Sequence, residues 1–317
     1  MPTFIWVIAL AGVVTAVIWI FTAVLFRRIV GRDDSSSHDE SSEAFRAAGR
    51  KQYPERFAAG LRCFDGLPHE CLYAVSDDKL SLSAHCIPCP DAKGTILMMH
   101  GFHSTPLRDF AYALPFISQL GYNLVLPYQR AHGKSEGEHL SFGIKERHDV
   151  LAWIEAIGKR FGAGEDIYLY GISMGGTTVV MGSGLPYPRE VRGIIADCGF
   201  TSPYEIVCEV MKHSMHLPKY PFIWIFGLLC RLRAGWSLKE YSTITALKSN
   251  RTPILFIHGA EDDFVPPGMT EKNYAECVAE KELVSVKGGK HATSYAADSA
   301  LCEQRISAFL KRHSSHR

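Results

Sequence analysis

Residues 168–176 read YLYGISMGG, an apolar and aromatic run that passes directly into a serine flanked by glycines. The residues before the serine suit a buried strand, whereas TTVVM at 177–181 suits a helix. A chain that turns from strand to helix within one residue forces that residue into a strained backbone conformation. The backbone segments on either side then come so close together that the residues two positions before and after it have no room for a side chain. Gly171 and Gly175 satisfy this condition around Ser173. The stretch therefore predicts a nucleophilic serine on a tight strand–helix turn, in preference to a glycine-containing helix cap.

Apolar runs suited to strands recur on both sides of this turn and alternate with helical periodicity. A hairpin is expected at 71–76 and 80–86, and further strands at 95–99, 123–127, 166–170, 191–196, 253–257 and 283–286. Helical spacing occurs at 107–119, 144–161, 174–183, 269–280 and 294–311. This alternation predicts an α/β fold with a mostly parallel, eight-stranded sheet and helices on both faces. Functional residues of such sheets lie at the carboxyl ends of the strands.

A serine hydroxyl needs a general base within hydrogen-bond reach and a third group that orients the base. After the run at 253–257 the chain reads HGAEDDFVP, which puts a carboxylate in a loop at a strand's carboxyl end. After the last strand, GGKH puts His291 in an equivalent place. His100 is the competing base, but a histidine that precedes a tight turn is more often structural, so His291 is favoured over it.

Two backbone N–H groups are expected to stabilise a developing oxyanion. Met174 follows the serine at the amino end of a helix, where N–H groups are unpaired. Phe102 lies in the loop after the strand at 95–99, where Gly101 permits a tight turn. Phe102 and Met174 are therefore the predicted donors.

Six motifs, in order along the chain, resemble those of the alpha/beta-hydrolase superfamily. They are MMHGFHS (98–104), LPYQRAHGKSEG (126–137), YGISMGG (170–176), ADCGFTSP (196–203), LFIHGAEDDFVP (255–266) and GGKHA (288–292). The likeness covers about 72–310 and is nearest to bacterial membrane-anchored members related to the serine aminopeptidase and acylglycerol lipase group. The resemblance implies Ser173 as nucleophile, His291 as base and Asp262 as the orienting acid, with Asp263 and Asp197 as alternative acids.

The resemblance also implies a cap over the active site at about 201–241, a segment rich in aromatic and aliphatic residues. An apolar cap would form a pocket for an acyl chain or an aromatic group. A helix pair that covers the sheet edge and an element that dips into a membrane interface are the alternatives. One departure from the family is Ala131, which replaces the first glycine of the R-G-H-G-x-S loop; that loop is interpreted as architecture.

Residues 4–26 carry no charged side chain, over a length that matches the hydrocarbon core of a bilayer. A signal peptide would have a shorter apolar region preceded by basic residues, so a membrane helix is favoured. Arg27, Arg28 and Arg32 follow the apolar run, which predicts a single-pass anchor with the catalytic domain in the cytoplasm.

The expected organisation is therefore an anchor at 1–30, a linker at 31–44 and a hydrolase domain at 45–317. The linker is polar and rich in Ser and acidic residues, which is typical of a tether. Nine cysteines at scattered positions suggest a reducing compartment, and the CxxC at 86–89 is interpreted as a turn in preference to a metal or redox site.

The sequence thus predicts a serine hydrolase that transfers an acyl group to water, with no metal and no organic cofactor. A carboxylic ester, preferably a lipid or acyl ester, is the favoured small-molecule substrate, because the anchor and apolar cap suit amphiphiles. An amino-terminal serine peptidase or amidase is the alternative enzyme, and a non-catalytic binding scaffold is the alternative of another class. With 34 basic and 33 acidic residues, nothing favours a nucleic-acid partner.

Overall fold

Eight apolar runs form strands that pair into one sheet in the computed structural model, which describes residues 2–32, 40 and 52–315. The strands are β1 Glu70–Val75, β2 Ser81–Ile87, β3 Thr95–Met99, β4 Asn123–Pro127, β5 Ile167–Ile172, β6 Val191–Asp197, β7 Ile254–Gly259 and β8 Lys281–Val286. The helices are α1 Pro2–Val30, α2 Pro54–Gly66, α3 Pro106–Phe110, α4 Leu114–Ile117, α5 Glu146–Phe161, α6 Met174–Gly182, α7 Pro203–Glu209, α8 Phe222–Leu229, α9 Thr243–Leu247, α10 Pro267–Glu276, α11 Ser294–Ala297 and α12 Ser299–His313. Two π-helical turns, Val210–Ser214 and Cys230–Ala234, continue α7 and α8.

The strand order across the sheet is β1-β2-β4-β3-β5-β6-β7-β8. Strand β2 pairs antiparallel with both β1 and β4, and every other neighbouring pair is parallel. The predicted eight-stranded, mostly parallel α/β fold is confirmed. This order brings the carboxyl ends of β3, β5, β6, β7 and β8 to one edge of the sheet, where the predicted functional residues follow their strands.

The central strands are buried on both faces because helices cover each side of the sheet. Leu97 and Met99 of β3 pack in the cluster that contains Trp153 of α5. Met98, which points to the opposite face, packs in the cluster that contains Phe110 of α3. Side chains alternate across a strand, so this double burial explains why β3 reads as an unbroken apolar run.

Some helical segments differ from their predicted extents. The run at 107–119 forms two short helices, and α4 begins immediately before Pro115, a residue suited to a first helical turn. The run at 294–311 is also divided, because the Asp298 carboxylate accepts a hydrogen bond from the Leu301 N–H and begins a new helix there. Helix α2 was not predicted; it buries Phe57 against the core.

Helix α1 extends four residues beyond the predicted apolar run and is long and apolar enough, by length and composition, to cross a membrane. Its last turns pack against the domain, where Thr22, Phe26 and Val30 are buried. The guanidinium of Arg32 donates hydrogen bonds to the carbonyl groups of Gly133 and Ser135. The end of the helix is therefore attached to the loop after β4.

Of the predicted linker, the structure describes Gly31, Arg32 and Glu40, and residues 33–39 and 41–44 lie outside the described residues. Glu40 is buried, and its carboxylate accepts hydrogen bonds from the Leu107 N–H and the Tyr128 hydroxyl. Burial opposes the ionisation of Glu40, but hydrogen bonding to His85 and its neighbours lowers its pKa below the usual value. These three residues all contact the domain.

Candidate active site

Ser173 occupies the turn between β5 and α6 with φ 55° and ψ −115°, a conformation that few residues with a side chain adopt. A Cβ atom added to Gly171 would lie 2.2 Å from the Gly175 carbonyl oxygen. A Cβ atom added to Gly175 would lie 1.9 Å from the Met99 carbonyl oxygen. The absence of side chains at these two positions is therefore what allows the strained turn that the sequence predicts.

His291 lies in the loop between β8 and α11, beside the serine. Its Nε2 atom is 2.9 Å from the Ser173 hydroxyl oxygen, and its Nδ1 atom is 2.8 Å from Asp262 Oδ2. The ring of Phe264 lies 4.9 Å from the imidazole and covers part of it. With Nδ1 protonated, Nε2 can accept the serine proton, which is the arrangement of a nucleophile, a base and an orienting acid.

The Asp262 carboxylate is buried at the carboxyl end of β7 and is well supplied with donors. Its Oδ1 atom accepts hydrogen bonds from the backbone N–H groups of Phe264 and Val265, each 2.9 Å long. A second imidazole, that of His258, has its Nε2 atom 3.2 Å from Oδ2. Burial alone would raise the pKa of Asp262, but the hydrogen bonds from His258 and His291 hold it well below its usual value. The carboxylate is therefore charged near neutral pH.

The two alternative acids are placed differently. Asp263 is exposed to solvent. Asp197 is buried and accepts a 2.8 Å hydrogen bond from the Ser294 hydroxyl, and burial raises its pKa to about 6. Of the three candidate carboxylates, Asp262 is the one that hydrogen-bonds to His291.

The alternative base, His100, is fully buried and holds the loop after β4. Its Nε2 atom accepts a hydrogen bond from the Gln129 N–H, and its Nδ1 atom lies 2.8 Å from the Gly101 carbonyl oxygen. The described geometry therefore brings His291, and not His100, to the serine hydroxyl.

The two predicted oxyanion donors lie in segments close to the serine, since Met174 follows it in the chain and Phe102 lines the same cavity. Met174 begins α6, and Phe102 follows Gly101, whose added Cβ would lie 3.3 Å from Ser173 Cβ. Neighbouring N–H groups of this loop are occupied, since that of Gly101 donates to Asp109 and that of His103 to His132. Within the described part of the chain, the Phe102 and Met174 N–H groups donate no hydrogen bond to another residue.

One cysteine lies close to the candidate triad. The Sγ atom of Cys198 lies within 4.8 Å of ligand atoms of Asp262 and His291. Burial raises the pKa of Cys198 well above its usual value, so the sulfur is a neutral thiol near pH 7. The CxxC cysteines, Cys86 and Cys89, are both free.

The side chains of the loop after β4 make structural contacts within the domain. The buried guanidinium of Arg130 donates hydrogen bonds to the carboxylates of Asp78 and Asp149. Ala131, at the position where the resemblance leads one to expect glycine, adopts a positive φ of 60°. The turn thus keeps a positive φ without glycine, a strain of order 1 kcal/mol.

An apolar cavity of ≈ 150 Å³ opens onto Ser173. Helix α7 and its π-helical turn, within the predicted cap, supply Ile206, Val207 and Met211 to its wall. Helix α8 does not line it and packs against α1 instead. Phe102 and Phe264 border the cavity near the serine.

Two parts of the site were not found from the sequence. Ile29, at the end of α1, lines the cavity, although the predicted apolar run at 4–26 ended three residues earlier. The apolar pair Ile29–Val30, which follows Arg27 and Arg28, could have indicated that the apolar helix continues to residue 30. His258 is the second imidazole that contacts Asp262. In the sequence, only the position of His258 in the same loop motif indicated this role.

Comparison with known proteins agrees with this fold. A model of the prolyl oligopeptidase family matches residues 135–317, which include Ser173, Asp262 and His291. The uncharacterized protein YqkD of Bacillus subtilis is 28% identical over 220 residues, 69% of this chain and 72% of that protein. An uncharacterized membrane protein of Saccharomyces cerevisiae is 24% identical over 229 residues, 71% of this chain and 74% of its own.

Among solved structures, an esterase of Pyrococcus furiosus superposes with a TM-score of 0.65 at 22% identity, covering 78% of this chain and 92% of the esterase. That likeness shows the alpha/beta-hydrolase fold. The match to the family model spans more than half of the chain. The chain is therefore a hydrolase-fold protein that belongs to the prolyl oligopeptidase family, within the alpha/beta-hydrolase superfamily.

Proposed function

We propose that the protein is a membrane-anchored serine hydrolase that cleaves carboxylic esters with apolar acyl groups, through an acyl-enzyme intermediate. The observation that carries this proposal is the continuous chain of contacts from Ser173 through His291 to Asp262, with separations of 2.9 Å and 2.8 Å. Such spacing allows proton transfer without rearrangement of the side chains.

In the first half-reaction, Ser173 Oγ attacks the substrate carbonyl carbon while its proton passes to His291 Nε2. The imidazolium that forms is stabilised by the Asp262 carboxylate. The negative charge that develops on the carbonyl oxygen is stabilised by the Phe102 and Met174 N–H groups. His291 then donates its proton to the departing alkoxide, and the acyl group remains on the serine.

In the second half-reaction, water takes the place of the alcohol. His291 removes a proton from the water, whose oxygen attacks the acyl carbonyl carbon. Collapse of the second tetrahedral intermediate releases the carboxylic acid and returns the proton to Ser173. These steps use only side chains, backbone amides and water.

The cavity supports an apolar acyl group as the part of the substrate that is recognised. Ser173 is its one polar lining residue, and its described lining includes no acidic side chain. A cavity of about this volume with apolar walls accommodates a group about the size of benzene. We expect the part of a longer acyl chain beyond this to leave the cavity beside Ile29 or Met215, which are only partly buried.

A serine peptidase or amidase is the second candidate, and the name of the family favours it. An amino-terminal peptidase would need a carboxylate near the scissile bond to bind the substrate's ammonium group. The described cavity wall supplies none, which favours the ester. Turnover of nitrophenyl esters of graded acyl length, measured beside aminoacyl nitroanilides, separates the two activities; faster cleavage of the anilides would reverse the preference.

A fluorophosphonate probe separates an enzyme from a catalytically idle scaffold. Labelling should be lost in Ser173→Ala and kept in Ser202→Ala, a matched control whose hydroxyl caps α7. Absence of labelling in the folded wild-type chain would support the scaffold.

We also propose that α1 is a single-pass anchor and that the catalytic domain faces the cytoplasm, since Arg27 and Arg28 follow its apolar run and are exposed. Carbonate washing should leave the full chain in the membrane pellet. Protection of the domain from protease added outside intact cells tests the orientation.

A further inference from the structure

One face of the cap carries large apolar side chains in solvent. Tyr220 lies in the turn before α8, Trp224 and Leu228 lie in α8, and Leu232 lies in its π-helical continuation; we name these four residues the cap stripe. Their exposed fractions are 50%, 68%, 42% and 68%. Trp224 and Leu228 are four residues apart and share a helix face, and the ring of Tyr220 lies 4.4 Å from that of Trp224, so these side chains form an apolar surface.

The other face of α8 is buried against the end of α1. The rings of Phe21 and Phe222 lie 5.8 Å apart, and those of Phe26 and Phe226 lie 6.0 Å apart. Ile223 joins Phe26 and Phe226 in the same buried cluster. The cap stripe is therefore fixed relative to the apolar helix α1.

The length of α1 indicates where a bilayer would meet the domain. Residues 3–17 and 19–21 are exposed, and burial against the domain begins at Thr22. At 1.5 Å per residue, residues 3–21 span about 28 Å, close to the hydrocarbon thickness of about 30 Å. The hydrocarbon boundary would then fall near Phe21, the residue that contacts the first residue of α8.

Charged residues near the two helices favour anionic headgroups. Arg27 and Arg28 lie one to two turns beyond this boundary, and Arg231 and Arg233 flank Leu232; all four are exposed. An exposed apolar face bordered by arginines, with a tryptophan and a tyrosine, is the composition of an element that lies in a membrane interface.

We propose that the amino-terminal part of the cap stripe, Tyr220 and Trp224, lies in the interface of an anionic lipid bilayer, on the side from which α1 leaves the membrane. α8 runs beside α1, because Phe222 contacts Phe21 and Phe226 contacts Phe26. Its first turn then lies at the headgroup layer, and the domain that contains the cavity is held close to the lipid. If the proposed hydrolysis holds, the substrates are esters carried in that layer, and this consequence alone rests on the proposed function.

Photo-crosslinking of the full chain tests the cap stripe without requiring catalysis. p-Benzoylphenylalanine is placed at Tyr220 or at Trp224, and the protein is reconstituted in vesicles of phosphatidylcholine and phosphatidylglycerol that carry an alkyne-tagged lipid. The matched control is the same probe at Tyr73 of β1, which is 61% exposed at the sheet edge formed by the hairpin. The proposal predicts lipid adducts at positions 220 and 224 that exceed those at position 73 about tenfold.

Two results would overturn the proposal. One is a yield of lipid adducts at 220 and 224 no greater than at 73. The other is crosslinking to a second copy of the chain, visible as a species of doubled mass, which would make the cap stripe a dimer interface.

A kinetic comparison tests the consequence for substrate. Trp224→Asp should lower the ratio of vesicle-borne to soluble ester turnover about tenfold, whereas Tyr73→Asp should leave that ratio unchanged. An unchanged ratio in Trp224→Asp contradicts the link to lipid substrates. Failure of the wild type to cleave either ester counts against the proposed hydrolysis, and the crosslinking result still decides the position of the cap stripe.

Discussion

The side chain of Ile29, near the end of α1, lines the same apolar cavity as the hydroxyl of Ser173. The helix that is apolar enough to cross a membrane therefore also forms part of the wall of the candidate active site. His103 strengthens this connection, because its Nε2 atom lies 3.1 Å from the Ile29 carbonyl oxygen. A change in α1 near this residue should consequently alter substrate preference.

Substitutions of Ile29 that enlarge or fill the cavity should change the acyl length that the enzyme prefers. Ile29→Trp should lower kcat/KM for esters with long acyl chains about tenfold relative to short ones, because the indole blocks the way out of the cavity. Ile29→Ala should shift the preference the other way. The control is Val17→Trp, at an exposed position of α1 away from the domain. Equal effects of the substitutions at 17 and 29 would contradict the assignment of Ile29 to the cavity wall.

Substitutions of the adjacent residues Asp262 and Asp263 should have different effects on activity, and the difference identifies the orienting acid. Asp262→Asn should lower kcat by about 10⁴-fold, because an amide neither stabilises the imidazolium nor fixes the tautomer of His291. Asp263→Asn, at an exposed neighbour, should change kcat less than about twofold. The two variants are compared in steady-state ester hydrolysis after circular dichroism shows that both are folded. A reversed pattern would assign the acid to Asp263.

Because the turn at Ser173 is tight, alanine substitutions at two glycines should have opposite effects on stability. Gly175→Ala should abolish activity and destabilise the fold by several kcal/mol, about the penalty of overpacking against backbone. In Gly158→Ala the added methyl group has no neighbour within 4 Å, and this position lies inside α5. That variant should gain about 0.5–1 kcal/mol in free energy of unfolding. Thermal melts and ester turnover of the two proteins give the comparison, and normal activity in Gly175→Ala would be inconsistent with the turn.

Asp197 should impose a pH dependence on stability. Burial raises its pKa to about 6 in the folded protein, against about 3.9 in the unfolded chain. Between about pH 4 and 6 the folded state therefore holds a proton that the unfolded state has lost, so the free energy of unfolding falls as pH rises. The loss is of order 2–3 kcal/mol and is complete above about pH 6.

The variant Asp197→Asn should lack this fall and gain stability relative to wild type at pH 7 but not at pH 4. Urea unfolding at the two pH values measures the difference. The same gain at both values would show that Asp197 is ionised throughout the range.

Much of the fold could be predicted because its signals are local. The apolar runs of β3 and β4 were located to the residue, and Gly171 and Gly175 identified the turn at Ser173. The geometry at Asp262 and His291 follows from the parallel order of β7 and β8, which the alternation of strands and helices already implied.

The remaining features depend on contacts between distant parts of the chain. No local pattern indicates that Ile29 reaches the cavity beside Ser173, because that contact requires α1 to dock on the cap. Helix α2 is an exception, because its buried residues Phe57, Leu61 and Phe64 recur at helical spacing and could have been predicted from the sequence. The division between α11 and α12 depends on a single capping carboxylate, that of Asp298.

The central claim, that Ser173 carries the acyl group, is tested most directly by intact-protein and peptide mass spectrometry. The full chain is mixed with a nitrophenyl ester and quenched in acid during turnover. The account predicts one acyl group per chain, located on Ser173 and absent from Ser173→Ala, which should also lose turnover. Ester hydrolysis that continues at the wild-type rate in Ser173→Ala, or an acyl group found on another residue, would contradict it.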